Sequence, residues 1–199
     1  MRELVYYVAA SLDGYIAGPD GRYDAFLMEG DHMADLARFA DAIPTDGAAH
    51  LGIPQPGTRF DTVLMGWNTY AGGAAEGATS PYRHLRQIVF SRSNHADAEN
   101  LEVAAADPVE LVRELRRTDG ADIWLCGGGA LAGALVDEID RLIVKRHPVL
   151  FGAGVPLFGG VAYRPAVFDV VDTRTFSSGV EVVEYVPRRA SATSPVSAG

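Results

Sequence analysis

Residues 125–131 read LCGGGAL, three glycines between a short apolar run, DIWLC at 122–126, and a run with helical spacing, ALAGALVDEID at 130–140. Glycine at a strand-to-helix turn lets backbone amides come close to a phosphate, because no Cβ stands in the way. The same residues also suit a turn that is merely tight. The strict dinucleotide pattern G-x-G-x-x-G misses by one position, since Gly127 and Gly129 are followed by Gly133, and no Gly-Lys-Ser/Thr occurs. The glycines alone leave both readings open.

Outward from this turn the chain alternates buried strands with helices. ELVYYVAAS is a strand running into a long loop marked by Asp13-Gly14 and Pro19-Asp20-Gly21. Residues 31–42, DHMADLARFADA, place Met33, Leu36, Ala37 and Ala40 at helical spacing, with Asp31 as the N-cap. Pro44, Pro54 and Pro56 with Gly47, Gly52 and Gly57 make residues 43–60 an irregular excursion. DTVLM at 61–65 and RQIVFS at 86–91 are further strands. Asp107, Pro108 and Glu110 carry the cap, first-turn proline and acidic residue of a helix start. RLIVKRHPVLF is another strand, and AVFDVVDTRTFSSGVEVVEYVP is two strands turning at Ser178-Gly179. The pattern implies a three-layer α/β/α fold, a mostly parallel sheet with an antiparallel C-terminal hairpin, in one domain over residues 1–187. The last residues, 188–199, read as a flexible tail. Ligands of such sheets sit at the carboxyl ends of the strands.

Composition sets outer limits. With 48% hydrophobic and 22% charged residues the 199-residue chain can bury a full core, and its net charge of −9 argues against a broad nucleic-acid surface. Cys126 is the single cysteine, which excludes an intrachain disulfide and suits a reducing cytoplasm. The apolar run at the N-terminus is too short for a membrane span, so a cytoplasmic protein with no membrane partner is expected. His32, His50, His84, His95 and His147 show no metal-ligand spacing and are expected to be ordinary surface or loop residues.

Two more strand ends resemble LCGGGAL in kind. VLMGWNTY ends a strand with Gly66 and presents Asn68 and Thr69, and VFSRS presents Ser91 and the planar cation Arg92. The order AASLDGYIAGPDG, DTVLMGWNTY, IVFSRS, IWLCGGGAL and HPVLFGAGVPLF resembles the dihydrofolate reductase superfamily over residues 2–186. Within it the chain looks closest to the reductase domain of the bifunctional riboflavin-biosynthesis deaminase/reductase and its stand-alone relatives.

The resemblance implies a dihydrofolate reductase-like fold and hydride transfer from NADPH. It implies that Ala9, Ala10 and Ile16 meet the nicotinamide under a mobile lid, SLDGYIAGPDG. Gly66, Asn68 and Thr69 would hold the pyrophosphate from one side, with Trp67 able to stack on the adenine, and Gly127, Gly128, Gly129, Ala130 and Leu131 would hold it from the other. Ser91 and Arg92 would meet the adenosine end. The family commonly has arginine where this chain has Trp67; an indole cannot neutralise the 2′-phosphate, so NADH is the alternative cofactor. The family's acid on the first helix points to Asp35 as proton donor. Asp31, Lys145 and Arg146 are taken as substrate-facing, one basic side chain gripping an anionic group.

The expected substrate is a pterin-like or aminopyrimidine-like heterocycle. The alternative is a non-catalytic nucleotide-binding or ligand-sensing module of the same fold. The apolar terminal hairpin makes a homodimer the expected assembly.

Overall fold

A computed structural model describes residues 1–75 and 77–188; the tail expected from 188 onward otherwise lies outside the described residues. Strands β1 (Leu4–Ala10), β3 (Phe60–Gly66), β4 (Arg86–Phe90), β5 (Leu101–Ala104), β6 (Asp122–Gly127), β7 (Arg141–Arg146), β9 (Phe168–Thr175) and β10 (Glu181–Pro187) form one eight-stranded sheet in the order β5-β4-β3-β6-β1-β7-β10-β9. The first six of that order pair in parallel, while β10 runs antiparallel to β7 and β9. The short strands β2 (Tyr15–Ala17) and β8 (Val155–Pro156) pair with each other apart from it.

Both faces of the sheet are covered, which explains why β1 and the central parts of β3 (residues 63–65) and β6 (residues 123–126) are continuous apolar runs rather than alternating. Leu4, Tyr6, Leu64, Ile123 and Leu125 pack on one face beneath Val112 and Leu115 of α3 (Pro108–Leu115) and Leu131 and Ala132 of α4 (Gly129–Ala134). Val5, Tyr7, Val63, Met65 and Trp124 pack on the other with Phe39 and with Tyr70 of α2 (Trp67–Ala75). The expected start of α3 is present: Asp107 accepts from Val109 N at 2.9 Å and Glu110 N at 3.2 Å, with Pro108 in the first turn.

Three segments differ from the sequence expectation. Residues Asp31–Ala42 form a 3₁₀ segment interrupted at Phe39 (φ −126°), with Gly30 rather than Asp31 at its N-cap. The excursion holds a short helix, α1 (Thr45–Leu51), closed by left-handed Gly52, and Asp41 then turns the chain into β3 by accepting from Gly57, Arg59 and Phe60 amides. The helix after the glycine turn stops at Ala134, well short of Ile139.

Close backbone approach explains part of this glycine content. A Cβ on Gly129 would collide with the Pro156 carbonyl oxygen, and one on Gly133 with the Gly159 carbonyl oxygen. We therefore expect Gly133→Ala to lower stability by about 1–3 kcal/mol through overpacking. Gly72→Ala, at an exposed position of α2 with open space around it, should leave stability unchanged or raise it by a few tenths of a kcal/mol. Thermal melts of the two variants check this, and similar losses in both would contradict it.

Candidate cofactor and substrate site

The parallel strands bring the three glycine-bearing ends together. Gly66 ends β3 beside β6: a Cβ on it would lie 3.7 Å from Gly128 N and 3.8 Å from Gly127 O. A Cβ on Gly128 would lie 3.3 Å from Thr69 Oγ1 and 4.0 Å from Ile16 Cδ1 of β2. Gly127 has φ +123°, a conformation that favours glycine, and the Gly127–Gly128 peptide is cis. The result is a shallow cradle floored by backbone and walled by Thr69 and Ile16, which side chains at Gly127 or Gly128 would fill.

Beside the cradle, β1 is open. It pairs with β6 only as far as Tyr6 and Leu125, yet with β7 as far as Ala10 and Arg146. Ala10 O accepts from His147 N on the β7 side, so by alternation the Ala9 N–H and C=O face β6 beyond the last ladder pair. A donor–acceptor pair at that point matches a primary carboxamide.

The expected lid is tied down at its base. Asp13 accepts from Ser11 Oγ (2.6 Å), Phe151 N (3.1 Å) and Gly152 N (2.7 Å), and the Ser11 hydrogen bond above all holds its carboxyl below the usual range. Pairing of β2 with β8 then carries Ile16 over the glycines. Tyr6 Oη donates to Leu157 O (3.0 Å), and Gly159 N donates to Gly129 O (2.8 Å), so segment 155–159 clamps the turn from outside. Gly129 has no room for a side chain beside the Pro156 carbonyl, and the Leu131 side chain belongs to the core, so of these two residues only the backbone is left to meet a ligand. Ala130 is exposed at the first turn of α4.

Asn68 and Arg92 are exposed, and Arg92 makes no ion pair among the described residues. Ser91 Oγ is used locally, accepting from Asn94 N at 2.9 Å. The Trp67 ring packs edge-on against Tyr70, 5.5 Å between centroids, and against the core on the β1 Tyr7 face of the sheet.

On that same face, beyond β1, lies a cluster of charged groups. Asp35 is buried and held by Arg174 of β9 through two hydrogen bonds, 2.9 and 3.1 Å, a planar fork that occupies both carboxylate oxygens. The acid expected at Asp35 is one half of an ion pair reaching across 139 residues. Lys145 stands half-buried on β7 between Ala9 and Val182, and desolvation pushes its ammonium down while Asp35 pulls it back. Cys126 meets Tyr82, and desolvation pushes its thiol up to about 12.

Two further expected site residues have partners within the fold. Asp31 is exposed, and its carboxylate is spent on the β9–β10 hairpin, accepting from Ser177 N (2.7 Å) and Ser178 N (3.0 Å); those bonds, Ser177's first, hold it far below the ordinary range. Arg146 is exposed and paired with Glu181 of β10, so of the two basic residues only Lys145 faces the site.

Two histidines are also not ordinary surface residues. His147 is buried, and its Nδ1 accepts from Leu27 N (3.1 Å), which puts the ring proton on Nε2. Buried His32 bonds Leu27 O (3.1 Å) and Ser178 Oγ (2.9 Å), so both polar groups of the Leu27 backbone are gripped. Among the described residues no cluster of His, Cys, Asp and Glu is arranged to hold a metal ion, and no helix is long and apolar enough to cross a membrane.

This arrangement of strand order and glycine turns has relatives. The chain matches the RibD C-terminal domain family over residues 2–182. It belongs to that family. It is 29% identical over 198 residues to YyaP, an uncharacterized protein of Bacillus subtilis (strain 168), covering 92% of this chain and 94% of that one. The fold is similar to a putative riboflavin biosynthesis protein from Shewanella sp. PV-4, with a TM-score of 0.69 at 21% identity, covering 95% of this chain and all of that one. It is also similar to dihydrofolate reductase from Enterococcus faecalis complexed with NADP(H), with a TM-score of 0.59 at 17% identity, over 94% and 97% of the two chains. The fold is therefore dihydrofolate reductase-like and of reductase type.

Sequence reasoning missed Arg174, Asp13 and the β8 segment of this RibD C-terminal domain protein. Only Asp13 carried a local signal, an acidic residue within SLDG that can accept from loop amides. Buried His147 generates a pH prediction. Burial, then Lys145 and His32, push its imidazole down to about 4. In the unfolded chain it titrates near the ordinary value of about 6.5, so as the pH falls the unfolded state binds a proton that the native state refuses. Its contribution to stability is complete above about pH 6.5 and is lost on the way down to about 4. The melting-temperature advantage of the wild type over His147→Gln should shrink between about pH 7 and about pH 4.5. An advantage independent of pH would contradict the assignment.

Proposed function

We propose that this protein is an NADPH-dependent reductase that delivers a hydride to a pterin-like or aminopyrimidine-like heterocycle. The observation that carries the reading is the convergence of Ile16, Gly66, Thr69, Gly127 and Gly128 at neighbouring strand ends, a cradle that side chains at the two β6 glycines would close. A dinucleotide's pyrophosphate fits such a backbone-lined floor, and its carboxamide fits the unpaired Ala9 backbone. Arg92 is the cation free to meet a 2′-phosphate in place of the family's usual arginine at Trp67. When bound, the nicotinamide supplies the hydride. The chain aligns the ring with Ala9 and Ile16, excludes water with the β2–β8 flap, and leaves Lys145 on the substrate side.

A second reading, a ligand-sensing module without turnover, is favoured by one observation: Asp35, at the place of the family's acid, is committed to Arg174. We also take the protein to be a cytoplasmic homodimer, with Val170 and Val171 exposed on the edge strand β9 as the surface for a second copy.

Fluorescence titration with NADPH and NADH, followed by NADPH oxidation over dihydrofolate, an aminopyrimidine ribityl compound and simple carbonyl acceptors, tests the reading. Wild type should bind NADPH and turn over a heterocycle. Gly128→Val should weaken NADPH by about tenfold or more by filling the cradle. Arg92→Ala should cut the preference for NADPH over NADH by about tenfold. Tight binding with no turnover of any acceptor would favour the sensing module, and unchanged binding by Gly128→Val would remove the cradle.

A further inference from the structure

Lys145 is the one lysine in the chain; every other position among the 17 Lys and Arg residues is arginine. Among the described residues arginine serves all of the ion pairs on the surface and in the sheet. What an ammonium has and a guanidinium lacks is the capacity to give up a proton near neutral pH. The single lysine stands on β7 opposite Ala9, the residue whose backbone is open at the cofactor end of β1. It is half-buried, and its side chain makes no hydrogen bond or ion pair among the described residues.

The groups around it come from every neighbouring element. The 3₁₀ segment brings Asp35, β1 brings Tyr7, the end of β7 brings His147, and β9 brings Arg174 onto Asp35. Asp35 cannot serve as the acid, because Arg174 occupies both of its oxygens. His147 cannot serve either: it is neutral and sealed, with Leu27 on Nδ1.

Resting on the reductase reading above, we propose that Lys145 is the proton donor of the reaction and that Asp35, fixed by Arg174, is its positioning residue. The reduced nicotinamide is the reductant. As the substrate's C=N or C=O carbon gains the hydride and its π bond breaks, the electron pair moves to the heteroatom. That atom takes a proton from the Lys145 ammonium, leaving a neutral amine that solvent reprotonates. Burial lowers the ammonium's hold on its proton, which suits this role.

Reductive methylation with ¹³C-formaldehyde labels only Lys145 and the N-terminal amine, so NMR reads the Lys145 titration in the protein without cofactor. Lys145 should titrate below an ordinary lysine in the native protein and normally in denaturant, and Asp35→Asn should move it lower still. An ordinary native titration overturns the proposal whatever the activity.

In turnover, Lys145→Met should lose about 100-fold or more in kcat with NADPH affinity unchanged, and Lys145→Arg, which keeps the charge, should not recover it. A loss confined to KM, or recovery by arginine, makes Lys145 an anion grip and overturns the proton-donor role. Absence of NADPH binding in the wild type would sink the reductase reading, and the proposal with it.

Discussion

At Gly129 and Gly133 the first turns of α4 meet the segment Pro156–Gly159 at a distance that admits no Cβ. That contact fixes where the preceding residues, Gly127 and Gly128, stand relative to β3, and it anchors β8, on which β2 and Ile16 are built. Tyr6 reinforces it from within the sheet through Leu157, so the central strand, the glycine turn and the flap form one unit. Because protein interiors transmit small displacements rather than absorb them, loosening this packing would widen the cradle as well as destabilise the fold.

On the other face of the sheet a second long-range contact shapes the substrate side. Arg174 comes from the terminal hairpin, and Asp35 from the 3₁₀ segment; Asp31 and His32 pin the same hairpin through Ser177 and Ser178. The hairpin is thus part of the site's architecture as well as the edge of the sheet. It neutralises the acid that the family's pattern suggests and leaves Lys145 as the titratable group beside it.

Much of this was legible in the residues because it depends on local rules. Buried strands, the Asp107 cap and glycines at strand ends follow from periodicity and from the demands of turns, and the parallel sheet with its antiparallel hairpin followed from their order. What escaped was set by partners distant in sequence. The Asp31 carboxylate looks like a helix cap until Ser177 and Ser178 claim it, and Asp35 looks like an exposed acid until Arg174 arrives from β9. Gly129 looks like part of a phosphate cradle, and only the approach of Pro156 shows why it must be glycine. The distinction between Lys145, which faces the site, and Arg146, which pairs with Glu181, needs the strand register to decide it.

The central claim is that the carboxyl ends of β1, β3 and β6 hold a dinucleotide. An amide-resolved NMR titration with NADPH addresses it residue by residue. The account predicts that the largest shifts fall on Ala9, Gly66, Thr69, Gly127 and Gly128, with Ile16 following as the flap settles. Binding that leaves those amides unmoved and perturbs another surface, or no binding at millimolar NADPH, would contradict it.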